Sequence, residues 1–160
     1  LLGSLIAAAI IYAWRRRRQR LSDLRDLVAL ESVSAQGRML PETAAFVTRL
    51  LRAEGFTVRE YPGQVAPVLI AEAGEGDATL LIYNHYDVQP EDPLELWHTP
   101  PFELTEREGR LYGRGASDDK GEFASRLAAV RAPLTEAVGH VAQHTEQRPH
   151  GAASGSSSDR

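Results

Sequence analysis

The 160-residue chain contains no cysteine and a single lysine, Lys120, against 17 arginines. The absence of cysteine excludes disulfide bonds, thiolate zinc sites and cysteine nucleophiles. Any metal ion must therefore be held by histidine, aspartate or glutamate side chains. Acidic residues outnumber basic ones, and the net charge of −4 provides no general attraction to nucleic acid. We therefore expect no nucleic-acid partner.

The chain also has no long apolar run, apart from its first residues. Residues 1–14, LLGSLIAAAIIYAW, are almost wholly apolar and are followed directly by RRRRQR. As a helix, this run would span roughly 21 Å, short of the ~30 Å hydrocarbon core of a bilayer. A secretory signal would carry its positive charges before the apolar run rather than after it.

Two interpretations of this segment stay open. One is the C-terminal part of a membrane anchor that leaves the arginines on the cytoplasmic side. The other is an apolar helical extension that packs on protein, or an artefact of the gene model. We expect a cytoplasmic protein, with membrane association through residues 1–20 as an open expectation.

The remaining pattern predicts helices that alternate with strands. Apolar residues recur at helical spacing from Leu21 to Leu30, and a second helix is predicted between Pro41 and Gly55. Further on, Phe123, Leu127 and Val130 mark one face of a third helix. Strands are predicted at FTVREY, PVLIAE and ATLLIYN, the last as a central strand covered on both faces, and a hairpin at FELTEREGRLYGRG. These elements predict an α/β fold with a mixed sheet flanked by helices.

The stretch NHYDVQP places a histidine and an aspartate two residues apart, directly after the apolar run ATLLIY. Ligand sites in open α/β sheets lie beyond the carboxyl ends of the strands, where His85 and Asp87 are predicted. One imidazole nitrogen can bind a cation while a nearby carboxylate orients the ring. A bare His-x-Asp pair is weak support, because such residues also bond to neighbouring loops in proteins without a metal site.

A second stretch, GRGASDDKG, contributes the adjacent carboxylates of Asp118 and Asp119 before a predicted helix. Neighbouring like charges are costly unless a cation or hydrogen bonds compensate them. The alternative is an ordinary helix start, where an N-cap and a first-turn acid are both favourable. A phosphate-binding P-loop is excluded, because Gly121 rather than serine or threonine follows Lys120.

Taken together, HYDVQP, Trp97, PPF and LYGRGASDDKG, which span residues 85–121, resemble one enzyme family. They are similar to the amino-terminal catalytic part of the dinuclear zinc metallopeptidases. This family includes carnosine and non-specific dipeptidases, aminoacylases and carboxypeptidase G, and the dipeptidase branch matches best. The motif resemblance fades after about Ala132.

The resemblance implies a role for each matching residue. His85 would bind one zinc ion, and the catalytic residue Asp87 would orient His85 and raise its basicity. Asp118 would bridge two zinc ions, and Asp119 would support it across a peptide bond that is often cis in this family. The implied cofactor is a pair of zinc ions, the implied substrate is a small peptide, and a homodimer is implied for the complete enzyme alone.

The family completes its site with a Glu-Glu pair, which supplies the general base and a zinc ligand, but this chain contains no Glu-Glu dipeptide. We therefore expect an amino-terminal fragment, or a product whose reading frame changes near Pro133. Three regions are expected: the apolar and arginine-rich segment 1–20, a partial catalytic domain at 21–132, and a divergent, disordered tail at 133–160. Two hypotheses follow, namely a zinc peptidase that is inactive as this chain alone, and a non-catalytic remnant that binds metal weakly or not at all.

Overall fold

The computed structural model describes residues 2–131, with backbone alone for residues 2–10, 12–16 and 131. Within this part, three α-helices and four short strands follow one another, together with 3-10 turns at Ser34–Gln36 and Leu94–Leu96. In chain order the elements are α1 (Leu2–Ala29), α2 (Leu40–Ala53), β1 (Thr57–Tyr61), β2 (Val68–Glu72), β3 (Thr105–Arg107), β4 (Arg110–Tyr112) and α3 (Lys120–Arg131). The tail expected at 133–160 lies outside the described residues.

The principal core forms where the three helices meet the first hairpin. Its buried members come from all three helices and from β1, and they are Leu27, Val47, Leu51, Val58 and Leu127. A second, smaller cluster packs Leu24 and Val28 of α1 against Leu104, next to the β3–β4 hairpin. Each helix contributes residues three or four apart, as the apolar spacing predicts. The end of α1 therefore lies between both clusters.

The local signals in the sequence are confirmed at the ends of α2 and at the second hairpin. Pro41 lies in the first turn of α2, and the helix ends at Ala53, just before Gly55. Strands β3 and β4 pair antiparallel around Glu108 and Gly109, which have φ angles of 53° and 71°. A two-residue hairpin loop of type I′ requires positive φ at both central positions, and glycine adopts it without strain.

The strand predicted at ATLLIYN is not formed in the described structure, which corrects the expectation of a doubly covered central strand. The two sheets of residues 2–131 each have two strands, β1–β2 and β3–β4, both antiparallel. Leu80, Leu81 and Tyr83 are 70%, 88% and 79% exposed. No described segment pairs with the backbone of this run, and the parallel contact that lies near it is an isolated bridge between Val33 and Val88. An apolar run becomes a central strand only where neighbouring strands satisfy its N–H and C=O groups.

The apolar amino-terminal segment is helical and continuous with the predicted helix that begins near Leu21. Both belong to α1, whose buried side chains among those described begin at Leu24. No helix within the described residues is both long enough and apolar enough to cross a membrane.

Candidate active site

The first loop of the candidate site, residues 84–88, is attached by hydrogen bonds to Ser32, which lies shortly after the end of α1. The Ser32 hydroxyl donates to the Tyr86 carbonyl at 2.7 Å, and the Val88 N–H donates to the Ser32 carbonyl at 2.8 Å. The Tyr86 hydroxyl donates to the Pro67 carbonyl at 2.5 Å, which ties the same loop to the start of β2. These contacts fix the backbone that follows His85, although no strand precedes it.

The second loop, residues 113–121, depends on a glycine at its centre. Gly115 has a φ of +82°, and a Cβ atom there would lie 2.9 Å from Val88 Cγ1 and 3.0 Å from Lys120 Cδ. Both the backbone conformation and the space therefore require glycine. The loop closes with a hydrogen bond from the Gly121 N–H to the Gly115 carbonyl at 3.1 Å. It presents Asp118 and Asp119 immediately before α3.

The two loops bring His85 and Asp118 together. His85 Nε2 lies 3.0 Å from Asp118 Oδ1, and the Asp118 side chain is 84% exposed. On the other side of the ring, His85 Nδ1 lies 3.2 Å from Asp87 Oδ1 and 3.1 Å from the Asp87 carbonyl oxygen. Asp87 thus holds the ring from behind while Nε2 and the Asp118 carboxylate face a common space open to solvent. The peptide bond between Asp118 and Asp119 is cis, as the resemblance implies.

The charges around His85 favour its protonated form when no metal is present. Partial burial works against the charged ring, but hydrogen bonds to the Asp87 carbonyl and the Asp118 carboxylate outweigh it. Together with the negative charges of Asp87 and Asp119, they raise the pKa of His85 above its ordinary value of 6.5. Both ring nitrogens face oxygen acceptors, and only the imidazolium can donate from both. A cation placed between Nε2 and Asp118 would take the place of that proton.

Asp119 has a different environment from its neighbour. Its side chain is 11% exposed, and its Oδ2 accepts hydrogen bonds from Asn84 Nδ2 at 2.7 Å and from the His85 N–H at 2.9 Å. Arg126 Nη1 lies 3.7 Å from Oδ1. The interpretation of Asp119 as an ordinary helix start does not describe its side chain, because the carboxylate bonds to the first loop. Asp119 therefore fixes the distance between the two loops.

Lys120 is fully buried and donates to the end of α1. Its Nζ lies 2.9 Å from the Leu27 carbonyl oxygen and 2.6 Å from the Leu30 carbonyl oxygen. Burial lowers the pKa of Lys120 to about 8, against a smaller opposing effect of the Asp87 charge. Each carbonyl also accepts a backbone N–H, from Leu30 and from Ser32, so the ammonium is a second donor to both at a helix C-terminus, where a cation is favourable.

The donor set fits part of a zinc site. A histidine nitrogen and a carboxylate oxygen are both common zinc donors, with bonds of about 2.0–2.2 Å. Two such bonds at a tetrahedral angle place the donors roughly 3.3 Å apart, close to the 3.0 Å between His85 Nε2 and Asp118 Oδ1. Among residues 2–131, however, no group of three or more histidine, aspartate or glutamate side chains could hold a metal ion. The pair thus supplies two donors of the three or four that zinc ordinarily takes from protein.

The structure brings together all four residues expected at the site, namely His85, Asp87, Asp118 and Asp119, within the two loops. Sequence reasoning assigned no role to Asn84 and Ser32, which lie beside them and bond to Asp119 and to the first loop. Asn84 is part of the same motif as His85, which was an available signal. Ser32 follows α1 and carries no such signal, because its partners lie 54 and 56 positions along the chain.

Comparisons with known proteins all point to one family of peptidases. The profile of peptidase family M20/M25/M40 matches residues 81–154. The chain is 37% identical over 116 residues to a cysteinylglycine-S-conjugate dipeptidase of Corynebacterium striatum, covering 71% of this chain and 26% of that protein. It is 39% identical over 119 residues to a succinyl-diaminopimelate desuccinylase of Xylella fastidiosa, covering 72% of this chain and 30% of that one. The chain thus spans between a quarter and a third of the length of these curated relatives.

Solved structures agree with the sequence matches. The crystal structure of human carnosine dipeptidase 1 superposes with a TM-score of 0.66 at 34% identity, covering 76% of this chain and 30% of that one. This likeness confirms the predicted α/β fold class, although the two sheets within residues 2–131 are both antiparallel rather than one mixed sheet. The profile match continues to residue 154, past Ala132 where the motif resemblance fades, and the expected boundaries at 20 and 132 stay predictions. The site motifs, the sequence matches and the fold therefore agree in relating this chain to peptidase family M20/M25/M40.

Proposed function

We propose that the two loops carry part of the active site of a zinc-dependent peptidase that hydrolyses peptide or other amide bonds. The observation that carries the proposal is the 3.0 Å approach of His85 Nε2 to Asp118 Oδ1, with Asp87 behind the ring. His85 and Asp118 would be the metal ligands, and in the complete enzyme Asp118 would bridge two zinc ions. When bound, zinc polarises the scissile carbonyl and lowers the pKa of water to about 7.

The chain's own residues would position the ligands. Asp87 would accept a hydrogen bond from the Nδ1–H of His85, which would leave the Nε2 lone pair available to a metal ion and make the ring more basic. Asp119 holds the two loops at a fixed distance through the N–H of His85. Asp118, with its carboxylate exposed, remains free to bind a cation.

We propose a small peptide as the substrate class, because the motifs match the dipeptidase branch best. One relative is a dipeptidase and another is a desuccinylase, and both names describe cleavage of an amide bond. A homodimer is proposed for the complete enzyme alone. Cytoplasmic localisation and association of residues 1–20 with a membrane remain expectations.

A second candidate is a remnant that binds metal weakly and has no activity. It is favoured by the absence of a group of three metal-binding side chains within residues 2–131, and by the absence of Glu-Glu from the whole sequence. Both candidates predict that the chain alone has no peptidase activity. Zinc-dependent turnover of a dipeptide, lost in Asp118→Ala, would contradict that prediction.

Zinc titration of the metal-free chain separates the candidates. If His85 and Asp118 are ligands, His85→Ala and Asp118→Ala should each weaken zinc binding by about tenfold or more, whereas the exposed His98→Ala should not. A matched control replaces His140, His144 and His150 with glutamine, because any histidine is a potential zinc donor that would compete with His85. Equal affinities for the chain and for His85→Ala in that background would leave only the remnant hypothesis.

A further inference from the structure

We propose that Lys120 is a positioning residue whose ammonium, fixed on the end of α1, sets the place of Asp118 and Asp119 relative to His85. Its importance for zinc binding rests on the proposed function, whereas its effect on the two loops does not. No motif role given above accounts for this side chain, which is the only lysine in the sequence.

The end of α1 and the residues after it form a common platform for both loops. Lys120 Nζ donates to the carbonyls of Leu27 and Leu30, at 2.9 and 2.6 Å. Ser32 bonds to Tyr86 and Val88, on either side of Asp87, at 2.7 and 2.8 Å. The ligand loops are thus attached to one short stretch of backbone, each by its own pair of hydrogen bonds.

The stem of Lys120 has no room to move away from that platform. Lys120 is fully buried, and its stem packs tightly against Gly115. A Cβ atom added to that glycine would lie 3.0 Å from Lys120 Cδ. A buried ammonium is costly unless it is hydrogen-bonded, so the two carbonyls hold Nζ firmly. A cation is also favourable at the C-terminus of a helix. The position of Lys120 is therefore set from both ends of its side chain.

A displacement of Lys120 must reach His85 through Asp119. Asp119 is the adjacent residue, and its Oδ2 accepts the N–H of His85 at 2.9 Å. One residue further, Asp118 Oδ1 faces His85 Nε2 at 3.0 Å. Without the ammonium, we expect the second loop to leave the platform, while the first loop stays attached through Ser32.

The absence of cysteine allows a chemical test in the full chain. Lys120→Cys is unfolded, alkylated at its one thiol with 2-bromoethylamine or with 1-bromopropane, and refolded. The first adduct restores an ammonium on a stem of lysine length. The second has the same length and no ammonium. Lys120→Gln, which needs no alkylation, is the second variant if the propyl adduct does not refold.

The first readout is amide hydrogen exchange without metal. In the propyl adduct or in Lys120→Gln, the His85 amide should exchange about tenfold faster than in the aminoethyl adduct, as expected when charged hydrogen bonds are lost. The Val88 amide, held by Ser32, and the amides paired between β1 and β2 should change by less than about twofold. Acceleration of all these amides by one common factor would indicate a purely structural role and overturn the proposal. Unchanged exchange at His85 would overturn it equally.

The second readout is zinc affinity, which should be about tenfold weaker in the propyl adduct and restored in the aminoethyl adduct. If the chain binds no zinc at His85 while the exchange result holds, the proposed function fails and the positioning role stands. If zinc binds at His85 with equal affinity and equal exchange in both adducts, the positioning role fails and the proposed function stands.

Discussion

Removal of the Asp119 carboxylate should mainly lower stability, whereas removal of the adjacent Asp118 carboxylate should mainly weaken zinc binding. Asp119 is 11% exposed in its side chain and accepts two hydrogen bonds, from Asn84 and from the His85 N–H. A hydrogen bond to a charged group contributes about 1.5–3 kcal/mol, and Asn84, being half-buried, recovers part of this from water. We therefore expect Asp119→Ala to lower the free energy of unfolding by about 2–4 kcal/mol, a large share of the roughly 5–15 kcal/mol typical of a domain.

Asp118→Ala is the matched control within the same dipeptide. The Asp118 side chain is 84% exposed and contacts His85 alone among the contacts described, so its removal should change the free energy of unfolding by less than about 1 kcal/mol. Urea unfolding at pH 7 of the metal-free chain, followed by circular dichroism with a common slope, measures both losses. Zinc affinity should fall more in Asp118→Ala than in Asp119→Ala, because Asp118 is the proposed ligand. Equal losses of stability, or a larger loss for Asp118→Ala, would refute the division of roles between the two carboxylates.

Two further predictions concern the proton on His85 and the space around Gly115. The pKa of His85 is raised above 6.5, so the stabilisation from its charged ring is complete below about pH 6.5 and is lost as the pH rises through the native pKa. Zinc competes with that proton, and its affinity should rise over the same interval in titrations between about pH 6 and 8. An affinity independent of pH would contradict His85 as a ligand. Gly115→Ala should lower the free energy of unfolding by at least about 1 kcal/mol more than Gly55→Ala. Both glycines have positive φ, +82° and +87°, but a Cβ at Gly55 meets nothing within 4 Å, so equal losses would show that crowding is unimportant.

Local chemistry in the sequence determined the helices, the hairpins and the composition of the site. Pro41 and Gly55 bracket α2, and Glu108 with Gly109 forms the tight loop between β3 and β4, because these residues act through their own backbone angles. The motif residues His85, Asp87, Asp118 and Asp119 could be named in advance because each lies in a short segment with a recognisable order. Their roles as ligands or supports stay predictions until metal binding is measured.

Only the tertiary structure decided which of these groups are buried and what they contact. Asp118 and Asp119 are adjacent residues of the same type, yet the side chain of one faces solvent and that of the other bonds to a loop 34 positions away. Lys120 reaches carbonyls 90 and 93 positions away, a contact that no local pattern encodes. The run ATLLIYN has the composition of a central strand, but it pairs with no described strand, because strand formation depends on backbone partners from elsewhere in a chain. Side-chain chemistry is a property of the sequence, whereas burial and pairing belong to whichever distant segments the fold brings alongside.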